Sequence, residues 1–186
     1  MKKLLIDMDD VICHGAMLKA INTYLNTNYT YDDADGYYIQ TLIPDDQESG
    51  FYSWIATQDY YSYSTIIDDA VEVIEELNSK YDIYICSAAY FPGNDAYTAD
   101  LLKYKFEFLH KHFPFIDYQK FIFSCYKDII KTDIAIDDRI ENLSGADKKI
   151  LFTAYHNKNI SNGELAKANV QRASSWLEIK EMLCQE

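Results

Sequence analysis

The sequence is poor in basic residues. It has 17 lysines and arginines against 30 aspartates and glutamates, so its formal net charge is −13 at pH 7. Proteins that bind nucleic acids or anionic membranes carry a basic face, which this balance disfavours. We therefore expect no nucleic-acid partner and no membrane partner. A small phosphate ester is still compatible, because a metal ion and a few lysines can dominate the electrostatic field inside one pocket.

Cysteines and long apolar runs are also scarce. The four cysteines, Cys13, Cys86, Cys125 and Cys184, show neither a CxxC pair nor a metal-type spacing. Cys86 and Cys125 lie in apolar runs and are expected to be buried. No stretch approaches the ~20 apolar residues of a membrane span, and the first apolar run is too short for a signal-peptide core. These absences predict a reduced, cytoplasmic protein.

Apolar residues make up 48% of the 186 residues, which is enough for one core domain with an insertion. Short apolar strands are predicted to alternate with amphipathic helices, a pattern typical of an α/β fold. We therefore predict a Rossmann-like, mostly parallel sheet flanked by helices. The predicted strands are 2–6, 82–87, 120–124, 133–137 and 149–154, and the helices are 14–27, 68–79, 97–112 and 175–184.

Residues 28–66 interrupt this alternation. They are rich in Tyr, Asp, Gly and Ser, and Pro44 and Gly50 break any long helix there. The composition predicts a small inserted subdomain between the first strand and the rest of the core.

Acidic pairs follow two of the predicted strands. Asp7 and Asp9 come after the first strand, and Asp137 and Asp138 end the fourth. The carboxyl ends of parallel strands are where open α/β sheets bind their ligands. Several carboxylates in one place require a cation, and Mg²⁺ prefers such oxygen ligands, often together with a substrate phosphate. The sequence therefore indicates metal-assisted phosphoryl chemistry.

Other polar residues also follow strands. A carboxylate such as Asp7 can attack phosphorus, and a neighbouring carboxylate can exchange protons with the leaving oxygen and with water. Ser87 can hold phosphate oxygens, and Lys127, with Lys131 as a competing candidate, can offset their charge. Each residue alone is more often a solvated turn, a helix cap or a surface lysine. Their alignment on four strand ends favours a functional site.

The four strand ends resemble the four motifs of haloacid dehalogenase superfamily phosphohydrolases. They read DMDDV at residues 7–11, then Ser87, Lys127, and DD at residues 137–138. Within that superfamily the chain is most similar to the 5'(3')-deoxyribonucleotidase group. The similarity covers most of the chain except residues 28–50. The segments that carry it are residues 7–12, 51–54, 83–87, 127–142, 150–152, 156–157 and 175–176.

The resemblance implies roles for the residues of the motifs. Asp7 is expected to be the nucleophile and a Mg²⁺ ligand. Asp9 is expected to be the general acid and base, with its backbone carbonyl on the metal. Asp138 is expected to bind the metal directly, and Asp137 to support the site from behind.

The resemblance also implies substrate contacts. Ser87 and Lys127 are expected to bind the phosphoryl group, and Lys105 is expected to be a second phosphate-contacting lysine. Residues 14–66 are expected to form a small helical cap on a core of residues 1–13 and 67–186. Phe51 and Trp54 are the cap aromatics expected to contact a nucleobase. The other cap aromatics, Tyr37, Tyr38 and Tyr52 among them, are expected mostly to pack within the cap.

Two positions depart from the family pattern. Asp10 stands where many members have glycine, so either the turn forms without glycine or Asp10 adds an acidic group to the site. Ala88 follows Ser87 where nucleotidases offer a hydroxyl, which leaves the substrate preference open.

The predicted function is Mg²⁺-dependent hydrolysis of (deoxy)ribonucleoside monophosphates through an aspartyl phosphate. The alternatives are a phosphatase for a sugar or cofactor phosphate and a non-catalytic nucleotide-binding protein. A receiver-like signalling domain would need a phosphoacceptor Asp after a middle strand, where this chain has its Tyr-rich insertion. Because the family often forms dimers, a homodimer is among the expected partners.

Overall fold

A parallel sheet of six strands forms the centre of the computed structural model, which describes residues 1–34, 36, 38–91 and 95–184. In space the strands run β5-β4-β1-β6-β7-β8, and each neighbouring pair is parallel. A short antiparallel ribbon joins β2 and β3. The strands are β1 Lys3–Ile6, β2 Cys13–His14, β3 Thr65–Ile66, β4 Asp82–Ser87, β5 Phe121–Phe123, β6 Thr132–Asp137, β7 Ala146–Phe152 and β8 Val170–Ala173.

Helices follow most of the strands. The α-helices are α1 Ala16–Leu25, α2 Asp45–Ile55, α3 Ala70–Asn78, α4 Asp95–His112, α5 Asn162–Ala168 and α6 Trp176–Cys184. Short 3-10 turns lie at Tyr31–Asp33, Ile39–Leu42, Tyr60–Tyr63, Tyr118–Lys120, Lys127–Ile129 and Ile140–Gly145. None of the described helices is both long and apolar enough to cross a membrane.

Both faces of the sheet are covered by apolar packing. Successive strand residues point to opposite sides, so one strand contributes to both layers. In β1, Leu4 and Ile6 pack into the core beneath α3, α4 and α6. Leu5 points the other way, into a second apolar layer that includes Leu151 of β7 and Leu165 of α5. This is the predicted parallel α/β architecture, and the structure confirms it.

The strand β8 of the parallel sheet and the helix before it, α5, were not predicted, and neither were the two-residue strands β2 and β3. β8 buries only its two ends, Val170 and Ala173, and the polar residues between them hid the strand. The helix before it, α5, did carry a signal. Ser161 and Glu164 form a capping box, in which the Glu164 carboxylate accepts from the Ser161 N–H at 2.9 Å.

The structure also corrects one of the cysteine predictions. Cys86 is buried within β4, as expected, but Cys125 is exposed. The strand before Cys125 ends at Phe123, so Cys125 lies in the following loop rather than in the sheet.

The segment between β2 and β3 has an apolar core of its own. The two strands pair with each other, so the ends of this segment leave and re-enter the core side by side. Leu18 and Ile21 of α1 pack with Phe51 and Ile55 of α2. The same cluster reaches Phe91, after β4, and in this way joins the insertion to the main domain.

A close backbone approach holds the loop that carries Lys127. A Cβ atom built on Gly145 would lie 2.0 Å from the carbonyl oxygen of Ile130. Glycine is required here by space, because any side chain would push apart the two turns Lys127–Ile129 and Ile140–Gly145.

Gly145→Ala should therefore lower the free energy of unfolding by roughly 1–3 kcal/mol, the usual cost of overpacking. Gly163→Ala is the matched control, because its Cβ would meet its nearest atom, Ser161 Oγ, at an ordinary 3.9 Å. Alanine is the better helix former by roughly 0.5–1 kcal/mol, so this control should be neutral or stabilising. Urea denaturation measures both, and equal midpoints for the two variants would contradict the steric argument.

Candidate active site

Four neighbouring strands bring the predicted polar residues to one edge of the sheet. In spatial order, β5 is followed by Lys127, β4 ends at Ser87, β1 is followed by Asp7, and β6 ends at Asp137. All four side chains are buried. The structure therefore brings the four motifs together, as the carboxyl ends of parallel strands require.

Lys127 is the central cation of the cluster. Its Nζ lies 2.6 Å from Asp7 Oδ1 and 2.8 Å from Asp137 Oδ2. Burial opposes the charge of Lys127, but the two carboxylates raise the pKa of its ammonium well above the usual range. Lys127 therefore stays protonated and balances two buried carboxylates.

Asp137 and Asp138 have different surroundings. Asp137 Oδ2 accepts a hydrogen bond from Lys127, and its Oδ1 accepts from the Arg139 N–H and Asn142 Nδ2, both at 2.9 Å. Asp138 Oδ2 lies 2.7 Å from His156 Nε2. Both oxygens of Asp137 are therefore engaged by protein donors, which leaves Asp138 better placed to bind an ion.

The donor set fits a hard divalent cation. Oxygen atoms of Asp7, Asp137 and Asp138 lie within 4.8 Å of one another. Among the described residues, Asp7 Oδ1 is buried and accepts no hydrogen bond, so its close contact with Lys127 is an ion pair without hydrogen-bond geometry. Burial, together with Asp137 and Asp9, raises the pKa of Asp7 to about 6. A cation there would relieve the repulsion and bind this buried oxygen.

Asp9 is held at both of its oxygens. Oδ2 accepts from Lys105 Nζ at 2.6 Å and from Ser87 Oγ at 3.3 Å, and Oδ1 accepts from the Tyr61 hydroxyl at 2.7 Å. Burial would raise the pKa of Asp9, but Lys105 and the hydrogen bond from Tyr61 lower it. Since 46% of the Asp9 side chain is exposed, the carboxyl group is still accessible.

Asp10 resolves the first departure from the family pattern in both of the ways considered. Its φ of 57° is left-handed, a conformation that aspartate tolerates better than most residues. The side chain also joins the site, within 4.8 Å of ligand atoms of Asp138 and His156. Burial and the charges of Asp138, Asp9 and Asp7 raise the pKa of Asp10 to about 8.

The turn that carries Asp9 and Asp10 is closed by its own backbone hydrogen bonds and held by α6. The Asp10 N–H donates to the Cys13 carbonyl at 2.7 Å, and the Ile12 N–H donates to Met8 at 2.8 Å. The buried Trp176 of α6 donates its Nε1–H to the Val11 carbonyl at 2.8 Å. A residue distant in the sequence therefore helps to fix this turn.

A cavity of about 670 Å³ opens beside Asp9 and Lys105. Its walls come from the insertion and from the segment after β4, and they include Met17, Gln40, Tyr52, Ala88, Phe91 and Leu101. Tyr52 and Phe91 meet edge to face, with ring centroids 5.6 Å apart. The cavity therefore combines a charged end with an aromatic wall.

The structure does not bring Phe51 and Trp54 to this cavity, and neither is among the described side chains that line it. Phe51 is fully buried, and Trp54 packs against Tyr24 and Phe51 at centroid distances of 5.4 and 6.0 Å. Both belong to the side of α2 that packs within the insertion. Tyr52 has the position that was expected for them, and Tyr37 lies outside the described residues.

Three site residues were missed in the sequence. Tyr61 lies in a Tyr-rich stretch with no motif to single it out. His156 and Asn142 were part of the quoted segments, but without a role. Both follow the DD motif and contact its carboxylates. Side chains that orient acidic groups are a regular part of metal sites, so polar residues shortly after this motif were the available signal.

Solved structures of haloacid dehalogenase-like proteins share this fold. A family protein from Streptococcus pneumoniae superposes with a TM-score of 0.53, at 15% identity over 98% of both chains. A Bacillus subtilis protein of this kind, bound to magnesium, superposes with a TM-score of 0.55, at 14% identity over 98% of both chains.

The sequence matches are narrower. Residues 1–186 match the family described as 5' nucleotidase, deoxy (pyrimidine), cytosolic type C, and the chain belongs to this family. A 5'(3')-deoxyribonucleotidase of Bacillus subtilis is 33% identical over 199 residues, covering 98% of this chain and 99% of that protein. The chain is thus a phosphatase of the nucleotidase type, which confirms the predicted superfamily and enzyme class.

The stability of the protein without metal should fall as pH rises. The pKa values of Asp7 and Asp10 are raised to about 6 and about 8. The folded state therefore binds more protons than the unfolded state, and this stability is lost between about pH 4 and 8. Asp10→Asn, which suits the left-handed backbone, should raise Tm in EDTA by several degrees at pH 8.5 and by clearly less at pH 5.5, where only part of this stability has been lost.

Thermal unfolding in EDTA at the two pH values tests this expectation. Mg²⁺ should raise Tm of the unaltered protein more at pH 8.5 than at pH 5.5, because more carboxylates are ionised at the higher pH. An equal effect of Asp10→Asn at both pH values would show that its charge is not the cause.

Proposed function

We propose that the protein is a Mg²⁺-dependent phosphatase that hydrolyses deoxyribonucleoside or ribonucleoside monophosphates through an aspartyl phosphate on Asp7. One observation carries the proposal: a buried cluster of carboxylates and lysines adjoins a cavity that could hold a nucleoside. The name of the Bacillus subtilis relative supports the choice of a nucleotide substrate.

Asp7, Asp138 and the backbone carbonyl of Asp9 would hold the ion. When bound, Mg²⁺ neutralises the charges of the phosphate and of Asp7, so that the two can approach. The protein donors on both oxygens of Asp137 support a role behind the ion rather than on it. The magnesium-bound Bacillus subtilis structure has the same fold, which is consistent with this choice of ion.

The chemistry proceeds in two steps. Ser87 and Lys127 bind the phosphoryl oxygens while the Asp7 carboxylate attacks phosphorus in line. In the substrate complex Asp9 is protonated, and it donates this proton to the departing nucleoside oxygen and then accepts one from the water that hydrolyses the phosphoenzyme. The position of Asp9, between the cluster and the cavity, supports this role because the leaving group would depart toward the cavity.

Lys105 is proposed as a second phosphate ligand. It is almost fully buried and contacts both Asp9 and Ser87. A buried ammonium at the end of the cavity is suited to the negative charge of a phosphate. Its place on α4 puts this contact on a rigid element.

Residues 14–66 are proposed as a cap over a core of residues 1–13 and 67–186. The separate apolar cluster of the insertion and its contribution to the cavity wall support this division. A cap of this kind shields the phosphoenzyme from bulk water and shapes the leaving-group pocket. A cytoplasmic location and a homodimer stay predictions from the sequence.

Asp7→Asn should abolish phosphate release without unfolding the protein, because the amide cannot act as the nucleophile. The assay measures phosphate released with Mg²⁺ from a panel of nucleoside monophosphates and small sugar phosphates. Asp147→Asn is the matched control: it is exposed at the opposite end of β7 and should keep full activity. A folded, active Asp7→Asn variant would overturn the mechanism.

The substrate panel separates the alternatives. Release from sugar or cofactor phosphates alone would keep the phosphatase and remove the nucleotide. No release from any ester by the folded, Mg²⁺-bound protein would favour a non-catalytic nucleotide-binding role.

Tyr52→Ala should raise KM for nucleoside monophosphates about tenfold, because stacking of a base on an aromatic ring contributes about 1–3 kcal/mol. The same variant should leave KM for deoxyribose 5-phosphate nearly unchanged, since that ester has no base. Steady-state kinetics with both substrates measure the difference. A similar change for both esters would place the role of Tyr52 outside base recognition.

A further inference from the structure

We propose that Tyr61 is a positioning residue, whose hydroxyl anchors Oδ1 of Asp9 so that Oδ2 faces the phosphoryl site. The inference rests on the proposed function, because it concerns how Asp9 meets the leaving group. The tyrosine comes from the 3-10 turn Tyr60–Tyr63, where the insertion returns to the core.

The contacts of Asp9 divide by direction. Lys105 and Ser87 both lie on the Oδ2 side, at 2.6 and 3.3 Å, and both are proposed phosphate ligands. Tyr61 alone of these three lies on the Oδ1 side, at 2.7 Å. The carboxylate is therefore oriented with one oxygen toward the chemistry and the other toward the insertion.

Substrate binding makes the Tyr61 contact more important. A phosphate oxygen would compete with Asp9 for Lys105 and Ser87, because these donors would turn to the stronger acceptor. The Tyr61 hydroxyl lies outside the phosphoryl site and would keep its bond to Oδ1. It is then the contact that prevents the carboxylate from rotating during proton transfer.

Tyr61 is itself held firmly. Its side chain is 4% exposed, and its backbone N–H donates to Asp59 Oδ1 at 3.0 Å. Its ring packs against Phe108 of α4 with centroids 5.5 Å apart, and Lys105 Nζ lies 5.5 Å from the ring centre. A rigid donor of this kind can orient a catalytic group, in the way that a third residue orients the base of a catalytic triad.

The consequence depends on the leaving group. A nucleoside oxygen is a poor leaving group and needs a proton from Asp9, whereas p-nitrophenolate departs readily without one. General acid catalysis contributes about 10²–10⁴ in rate, and a misoriented acid should lose part of that factor. The loss should therefore appear with nucleotides and not with p-nitrophenyl phosphate.

The test compares Tyr61→Phe with the unaltered enzyme on both substrates. The kcat/KM value covers all steps through loss of the leaving group, so it isolates the acid role of Asp9. For a nucleoside monophosphate, kcat/KM should fall about tenfold or more with little change in KM. For p-nitrophenyl phosphate, kcat/KM should change less than about threefold.

Two controls complete the experiment. Tyr63→Phe removes a hydroxyl from the same turn, one that contacts Gln58 rather than Asp9, and should leave both substrates unaffected. In an Asp9→Asn background, Tyr61→Phe should cause no further loss with the nucleotide, because the oriented group is already gone.

Equal losses for the two substrates, or a full further loss in the Asp9→Asn background, would overturn the inference and make Tyr61 a structural residue. No loss with either substrate would also overturn it. Failure of the proposed function looks different: the unaltered protein would then release no more phosphate than Asp7→Asn from any ester, and the inference would fall with it.

Discussion

The pairing of Lys127 with Asp7 and Asp137 is the interaction on which the site depends. Gathering carboxylates at one sheet edge is unfavourable, because like charges repel and burial removes their hydration. Lys127 lies between two of them, with its ammonium within 2.8 Å of an oxygen of each. It offsets only part of the charge, since the pKa values of Asp7, Asp10 and Asp138 are still raised. The remaining repulsion is what makes the cluster suitable for a divalent cation.

The sheet order makes that pairing possible. Lys127 follows the edge strand β5 and reaches across β4 to carboxylates after β1 and β6. These strands are parallel, and their register places their carboxyl ends within two residues of one another. The close approach of Gly145 to Ile130 holds the lysine loop against the turn that follows β6. The sheet order and the close approach at Gly145 therefore place Lys127 beside the two carboxylates.

The sequence was most informative where one residue type has one physical role. A run of apolar residues such as 83–86 in β4 indicates a strand within the core, so the end of the strand and the polar residue there could be predicted. Residues that can either contact a ligand or pack in a core, such as aromatics, were less informative. Phe51 and Trp54 are equally suited to a base or to the packing of α1 against α2, and only the orientation of α2 decides between them. β8 shows a related limit, because an edge strand with two buried residues has no apolar period to detect.

The hydrogen bond from Trp176 to Val11 has a consequence for the order in which the protein becomes competent. The turn of Asp9 and Asp10 is synthesised about 165 residues before the side chain that clamps it, which belongs to α6. During translation the acidic turn therefore lacks the hydrogen bond from Trp176 until α6 has been synthesised. Assembly of the site is thereby coupled to synthesis of α6, so a partly synthesised chain carries the acidic turn before it has the tryptophan that holds it.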